Sequence, residues 1–271
     1  MNPGLQYIQI QRNKSTATTS LEDVVAVEAP LEIQIQHSSE NRAKSISVTM
    51  RTPGNDIDLA LGFLFTEGLI KDYHQVKKAF PFGENRVVVQ LNEGETIALE
   101  NSERNFYTTS SCGVCGKSSI EAIQTISQFQ INRSRVPSEG VLFGLKKTLE
   151  KQQSLFSLTG GIHAAALFNL KGEIEIVQED VGRHNALDKL IGEAFQKQLL
   201  PLDDRILLLS GRASFELVQK GIMAGIGTIV AVGAPSSLAV ELAREHNQTL
   251  IGFLKQDSFN IYSRSLDENV T

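Results

Sequence analysis

The chain has 271 residues, 41% of them hydrophobic, 21% charged and 6% aromatic. That composition suits a globular protein of about two domains and excludes collagen, coiled coil and wholesale disorder. A net charge of −5 argues against a dedicated binder of nucleic acid or anionic membrane. No apolar run reaches the length of a membrane span, and the N-terminus lacks the basic-then-apolar layout of a signal peptide, so a cytoplasmic location is expected.

Residues 1–20 are polar and rich in Ser and Thr, and are expected to be disordered or a loose strand. From Val24 the pattern turns to strands. Leu31, Ile33 and Ile35 alternate with Glu32 and Gln34, and Ile46, Val48 and Met50 with Ser47 and Thr49. Thr52-Pro53-Gly54-Asn55 breaks the chain before a helix that starts at Asp56, carries Leu59, Phe63 and Leu64, and stops at Gly68. Val87-Val88-Val89 and Ile97-Ala98-Leu99, parted by Asn92-Glu93-Gly94, predict a hairpin. A cysteine segment and a helix with Ile120, Ile123 and Ile126 follow, and Val136-Pro137-Ser138 marks a boundary. Residues 21–135 thus read as an α+β domain and 136–271 as a second, α/β domain.

The second half alternates. Strands over 162–168 and 173–177 flank a turn at Asn169-Leu170-Lys171-Gly172. Helix 184–198, strand 205–210, helix 213–224, strand 228–232, helix 236–246 and strand 249–253 complete the series. The unbroken apolar runs Ile206–Leu209 and Ile229–Val232 are what a sheet covered on both faces requires.

Two constellations carry chemistry. The first is Ser110-Ser111-Cys112-Gly113-Val114-Cys115-Gly116-Lys117, which holds both cysteines of the chain. The following helix start and Lys117 favour thiolate, the form that exchanges disulfides, binds metals or takes up sulfur. A structural zinc site would need about four ligands, and this chain supplies half of them. A thioredoxin-like pair, an inert buried pair and a sulfur carrier are the other readings, and the pair alone does not separate them.

The second constellation is a set of turns after strands: Gln178–Asn185, Ser210-Gly211-Arg212-Ala213-Ser214 and Gly233-Ala234-Pro235-Ser236-Ser237. If the strands run parallel, these turns share the carboxyl edge of the sheet, where open α/β sheets bind ligands. Glycines, hydroxyls, Arg183 and Arg212 favour an anion there, a nucleotide pyrophosphate above all. His163 and His184 stand close to that edge, and Asp180 shares a loop with His184. No G-x-G-x-x-G or Walker sequence is present.

With Ser111–Gly116, Thr159–Ala166, Glu179–Lys189 and Ser210–Glu216 in this order, the chain resembles the FdhD family, the formate dehydrogenase accessory sulfurtransferases. The likeness extends to Leu59–Phe63 with Thr66-Glu67-Gly68, and to Leu250–Phe253 with Asn260-Ile261-Tyr262. The resemblance implies a cytidine-deaminase-like α/β C-terminal domain behind a smaller α+β N-terminal domain. It implies a sulfurtransferase that takes persulfide sulfur from a cysteine desulfurase. The sulfur goes to the bis(molybdopterin guanine dinucleotide) molybdenum cofactor of formate dehydrogenase.

By the same match Cys112 is the persulfide carrier and Cys115 its partner. Phe253, Leu254, Lys255, Gln256, Asp257 and Ser258 match the family's cofactor-binding stretch. Together with His163, Arg183, His184, Ser210 and Arg212 they are the expected binding residues for the guanine ends, and a GDP-like nucleotide should bind. Asp257 and Ser258 depart from the family pattern of a small turn residue followed by a basic one. The turns lack the cysteines of a zinc deaminase, so neither deamination nor a bound metal is expected. A homodimer without nucleic-acid or membrane partners is the expected assembly.

Overall fold

A polar antiparallel hairpin begins the chain. In the computed structural model, which describes residues 2–95, 97, 127–131 and 136–264, β1 (Leu5–Lys14) pairs with β2 (Ala17–Ala26) in unbroken register. Of the two expectations for residues 1–20, disorder or a loose strand, the strand is the one found, in a regular ribbon rather than a loose one. Ile8 and Ile10 alternate with exposed Gln9 and Gln11, but most of the ribbon is exposed, so the periodic signal is short.

β3 (Ala29–Gln36), β4 (Lys44–Arg51), β5 (Val76–Pro81) and β6 (Arg86–Leu91) form a sheet in the order β4-β3-β6-β5. Leu31, Ile33 and Ile35 point into the core as their period-two spacing requires. The expected hairpin around Asn92-Glu93-Gly94 does not form as read. β6 already has β3 on one side and β5 on the other, and buried Ile97 lies outside any strand. Ala98 and Leu99, Cys112 and Cys115, and the helix carrying Ile120, Ile123 and Ile126 lie outside the described residues.

Helix α1 (Asp56–Thr66) starts where expected. Arg51, almost fully buried, holds Asp56 with two hydrogen bonds, Nε to Oδ1 at 3.0 Å and Nη2 to Oδ2 at 2.8 Å. This forked pair fixes the turn that brings the strand into the helix.

The second sheet has the order β12-β11-β10-β9-β7-β8. Its strands are β7 (His163–Asn169), β8 (Ile174–Asp180), β9 (Arg205–Leu209), β10 (Thr228–Ala231), β11 (Thr249–Gly252) and β12 (Asn260–Ser263). β9, β10 and β11 are mutually parallel. β7 is antiparallel to both β8 and β9, so β8 runs in the same direction as β9. Four strands therefore end on one edge, and β7 begins there.

Helices α4 (Arg183–Gln196), α5 (Phe215–Met223) and α6 (Ser237–Glu245) follow β8, β9 and β10. Their apolar residues share one core with Ala165, Leu207, Leu209 and Ile229 on one face of the sheet. On the other face, α2 (Glu139–Glu150) lays Leu142, Leu145 and Leu149 over Ala164, Phe168 and Leu208. The short helix α3 (Ser154–Thr159) then leads into β7.

α1 packs directly on α4. A Cβ on Gly62 would lie 1.8 Å from the Asp188 carbonyl oxygen, and one on Gly192 would lie 1.8 Å from that of Asp58. Only glycine permits two helix backbones to approach so closely. The buried core consequently runs from β3 through α1 and α4 to β10, across the position of the expected domain boundary.

Candidate functional site

The turns at the ends of β8, β9, β10 and β11 form a continuous row at the carboxyl edge of the second sheet. Ala164, next to His163, donates its N–H to Ser210 Oγ at 2.9 Å, and Ser210 N–H donates back to the Ala164 carbonyl at 3.0 Å. The His163 ring lies against Gly211, 3.5 Å from where a Cβ would stand. Gly233 N–H donates to Gly211 at 2.9 Å, and Phe253 N–H donates to Gly233 at 3.1 Å. These bonds set the start of antiparallel β7 beside the ends of parallel β9, β10 and β11, so His163, Ser210, Arg212 and Phe253 fall in one row.

Helices α4, α5 and α6 all point their N-termini at this row. Gly182, the N-cap of α4, has no side chain with which to cap it, and Ser214 at the start of α5 makes no capping bond. Ser236 does cap α6, accepting from Ala239 N–H. At α4 the start of the helix thus presents N–H donors and the positive end of its dipole without a side-chain cap, a setting that favours anions, whereas in the first turn of α5 the Glu216 carboxylate already accepts from the backbone. Arg212 is exposed beside them and Arg183 is half-buried.

His184 is buried at the second position of α4. Its Nε2 lies 3.5 Å from Ser214 Oγ and 3.9 Å from Glu216 Oε2. Hydrogen bonding to His184 depresses the Glu216 carboxyl to about 2, against the opposing effect of burial. His163 is shifted downward from its ordinary value, first by burial and then by the positive charges of Arg183 and His184.

Among the described residues, Arg183 Nε and His184 Nδ1 are buried without a hydrogen-bonding partner. Ser214 and Glu216, which hold the His184 ring, were not singled out for that role from sequence. The only signal was their place in the turn that opens α5.

The segment 253–258 joins the row at the end of β11. Phe253 adopts φ of 54° and leaves its ring exposed at the edge. Leu254 turns the other way, into the core beneath α2, and serves as the loop's anchor. Lys255, Gln256, Asp257 and Ser258 are exposed; Lys255 N–H closes a turn on the Ser258 carbonyl, and Ser258 Oγ donates to Asp257 Oδ1.

Beside this row, on the α2 face of the sheet, lies a cleft of about 520 Å³. His163 and Ser210 line it, with Lys146 and Glu150 of α2 and Phe156 of α3, none of which stood out in the sequence. Its size falls in the range of small-molecule sites. No cluster of His, Cys, Asp and Glu that could hold a metal ion occurs among the described residues.

Asp180 stands apart from the ligand edge. It is fully buried and pairs with Lys189 Nζ at 2.7 Å. It also accepts from the N–H groups of Thr52 and Gly182 and from Asn185 Nδ2. Of the long run from Glu179 to Lys189, then, Arg183 and His184 stand at the start of α4 on this edge, while Asp180, Asn185 and Lys189 clamp the first half of the chain.

A sequence profile of the FdhD/NarQ family matches residues 26–267. The chain belongs to the FdhD/NarQ family. It is 47% identical over 253 residues to the sulfur carrier protein FdhD of Mycolicibacterium paratuberculosis, covering 90% of this chain and 91% of that protein. The sulfur carrier protein FdhD of Sulfolobus acidocaldarius is 40% identical over 259 residues, with 96% of each chain covered. A crystal structure of a candidate formate dehydrogenase accessory protein from Desulfotalea psychrophila superposes with a TM-score of 0.78 at 21% identity. It covers 99% of this chain and 100% of the other, and shows that the fold is shared.

Proposed function

We propose that this chain carries sulfur for the maturation of formate dehydrogenase. The similarity to sulfur carrier proteins over nine-tenths or more of the chain carries this reading. In it, Cys112 thiolate attacks the outer sulfur of a persulfide on a cysteine desulfurase. A new S–S bond forms on Cys112 while the donor leaves as a thiolate. Cys115 thiolate then attacks Cys112 Sγ, closing a disulfide and releasing the outer sulfur as hydrosulfide. Sulfur at that oxidation level is what a sulfido ligand on molybdenum requires.

The acceptor in this reading is the bis(molybdopterin guanine dinucleotide) molybdenum cofactor, held as substrate by its guanine ends. The uncapped start of α4, with Arg183 and Arg212, suits a pyrophosphate. The neighbouring cleft has room for the remainder of a nucleotide. Phe253 offers a ring face to a base, and Lys255 supplies a positive charge beside the exposed Asp257.

Incubating the chain with a cysteine desulfurase and cysteine, then analysing the Cys112 peptide by mass spectrometry, is expected to show one added sulfur atom. Cys112→Ala should remove that mass and the ability to mature formate dehydrogenase. Full maturation by Cys112→Ala would instead leave a chaperone that holds the cofactor without carrying sulfur.

A further inference from the structure

The cleft on the α2 face of the second sheet has a wall that packing within the protein does not account for. Phe156 of α3 lines it and keeps 42% of its surface exposed, although burial of such a ring is favourable. The ring does not hang on a loose segment. Glu179, on the edge strand β8, accepts from Leu155 N–H and from Phe156 N–H, both at 2.9 Å, and from Ser154 Oγ at 3.4 Å. A carboxylate borrowed from the sheet thus serves as the cap of α3 and holds its backbone in place.

Gly160 and Gly161 follow Phe156 on the cleft lining. Gly160 has φ of 66°, a conformation that glycine adopts without strain, so its identity is explained by the turn into β7. Gly161 has no such reason. Its φ is not in the left-handed region, and a Cβ there would meet nothing nearer than the Thr159 carbonyl oxygen at 3.9 Å. The protein itself admits a side chain at this position, and the open space there adjoins the cleft that Gly161 lines.

We infer that the nucleoside of the bound diphosphate lies in this cleft, its base against the Phe156 ring and the bare Gly161 backbone, so that Gly161 gauges what fits. The inference rests on the nucleotide reading proposed above.

The connection between cleft and edge supports it. His163 and Ser210 belong to both, so a ligand anchored by its phosphates at the start of α4 continues into the cleft without a break. An aromatic face and an uncovered peptide plane are flat surfaces that suit a planar base. Phe253, beyond β10 at the other end of the row, remains for the second base of the cofactor.

The test compares GDP with inorganic pyrophosphate in calorimetric titrations of the full chain, which separates the base from the phosphates. The unaltered chain should bind GDP more tightly than pyrophosphate. Gly161→Ala and Gly161→Leu should keep unfolding midpoints near that of the unaltered chain, since no neighbour opposes the added carbon. Their GDP affinity should fall in that order, by about tenfold or more for Gly161→Leu. Phe156→Ala should lower it about tenfold, and Phe156→Tyr should restore it. All four variants should bind pyrophosphate as the unaltered chain does.

GDP binding that none of these changes weakens would overturn the placement of the base and leave the nucleotide reading standing. An equal loss for GDP and pyrophosphate would mark damage to the row of turns and overturn the placement as well. No binding of GDP to the unaltered chain would overturn both readings. Should a Gly161 variant not fold, Phe156→Ala and Phe156→Tyr, on an exposed side chain, decide alone.

Discussion

Asp180 lies two residues from the α4 N-cap yet has no exposed surface, and both its oxygens are engaged. Oδ2 meets Lys189 Nζ and Thr52 N–H; Oδ1 meets Gly182 N–H and Asn185 Nδ2. Lys189 Nζ also donates to the Thr52 carbonyl at 2.8 Å. Removing one partner of such a pair leaves the other charge buried without compensation. Asp180→Ala is expected to destabilise the fold by about 3–5 kcal/mol in urea unfolding. Arg212→Ala, on an exposed side chain, should stay within about 0.5 kcal/mol. The sequence places Asp180 and His184 in one loop but does not separate their roles. The partners that separate them, Thr52 and Glu216, are about 130 residues before Asp180 and 32 after His184. Short-range spacing has no access to contacts of that kind.

At the scale of elements, α1 and α4 are held in register by two glycines that leave no room for a methyl group. Gly192→Ala places a Cβ against a carbonyl oxygen of α1, and the helices must separate to admit it. Overpacking of this kind typically costs about 1–3 kcal/mol, and a backbone-to-backbone clash belongs at the upper end or beyond. Gly140→Ala, with nothing within 4 Å, is the matched control, and it should leave the unfolding midpoint near its original value or above it.

The strands and helices that sequence marks most clearly are those whose burial is one-sided or complete: β3, α1, α4, and β9 to β11. β1 alternates only Ile8 and Ile10 with glutamines, β2 is polar over its first half, β5 carries Lys77 and Lys78 outward, and β12 is four residues long, so each gives at most a short apolar signal. The row of turns at the sheet edge was legible because glycine, serine and arginine recur after successive strands. The α2–α3 wall of the cleft was not, because Lys146, Glu150 and Phe156 become neighbours of His163 only when α2 crosses the second sheet.

Across the whole molecule, the interface between the two halves contains a carboxyl that titrates near neutrality. Asp58 is raised to about 6, first by burial and then by the Glu193 carboxylate. Its ordinary value is 3.8, so the folded protein binds a proton here more tightly than the unfolded chain. That contribution is complete at pH below 3.8 and is lost as pH rises through about 6. Asp58→Asn keeps an oxygen for Gln196 Nε2 but does not titrate. Thermal midpoints should therefore favour Asp58→Asn over the unaltered chain at about pH 7.5, with the gap closing towards about pH 4.

The shared core has a further consequence, for delivery. Ile97 is buried in that core, and Ser127 Oγ donates to the Ile222 carbonyl at 3.0 Å, so the segment bearing both thiols is moored at each end to one body. Cys112 follows Ile97 by fifteen residues and Cys115 precedes Ser127 by twelve. Twelve residues span at most about 40 Å, roughly twice the gyration radius of a compact chain this long, which bounds the distance of Cys115 from Ser127. A covalent bound of this kind keeps the thiols at a local concentration that dilution does not change.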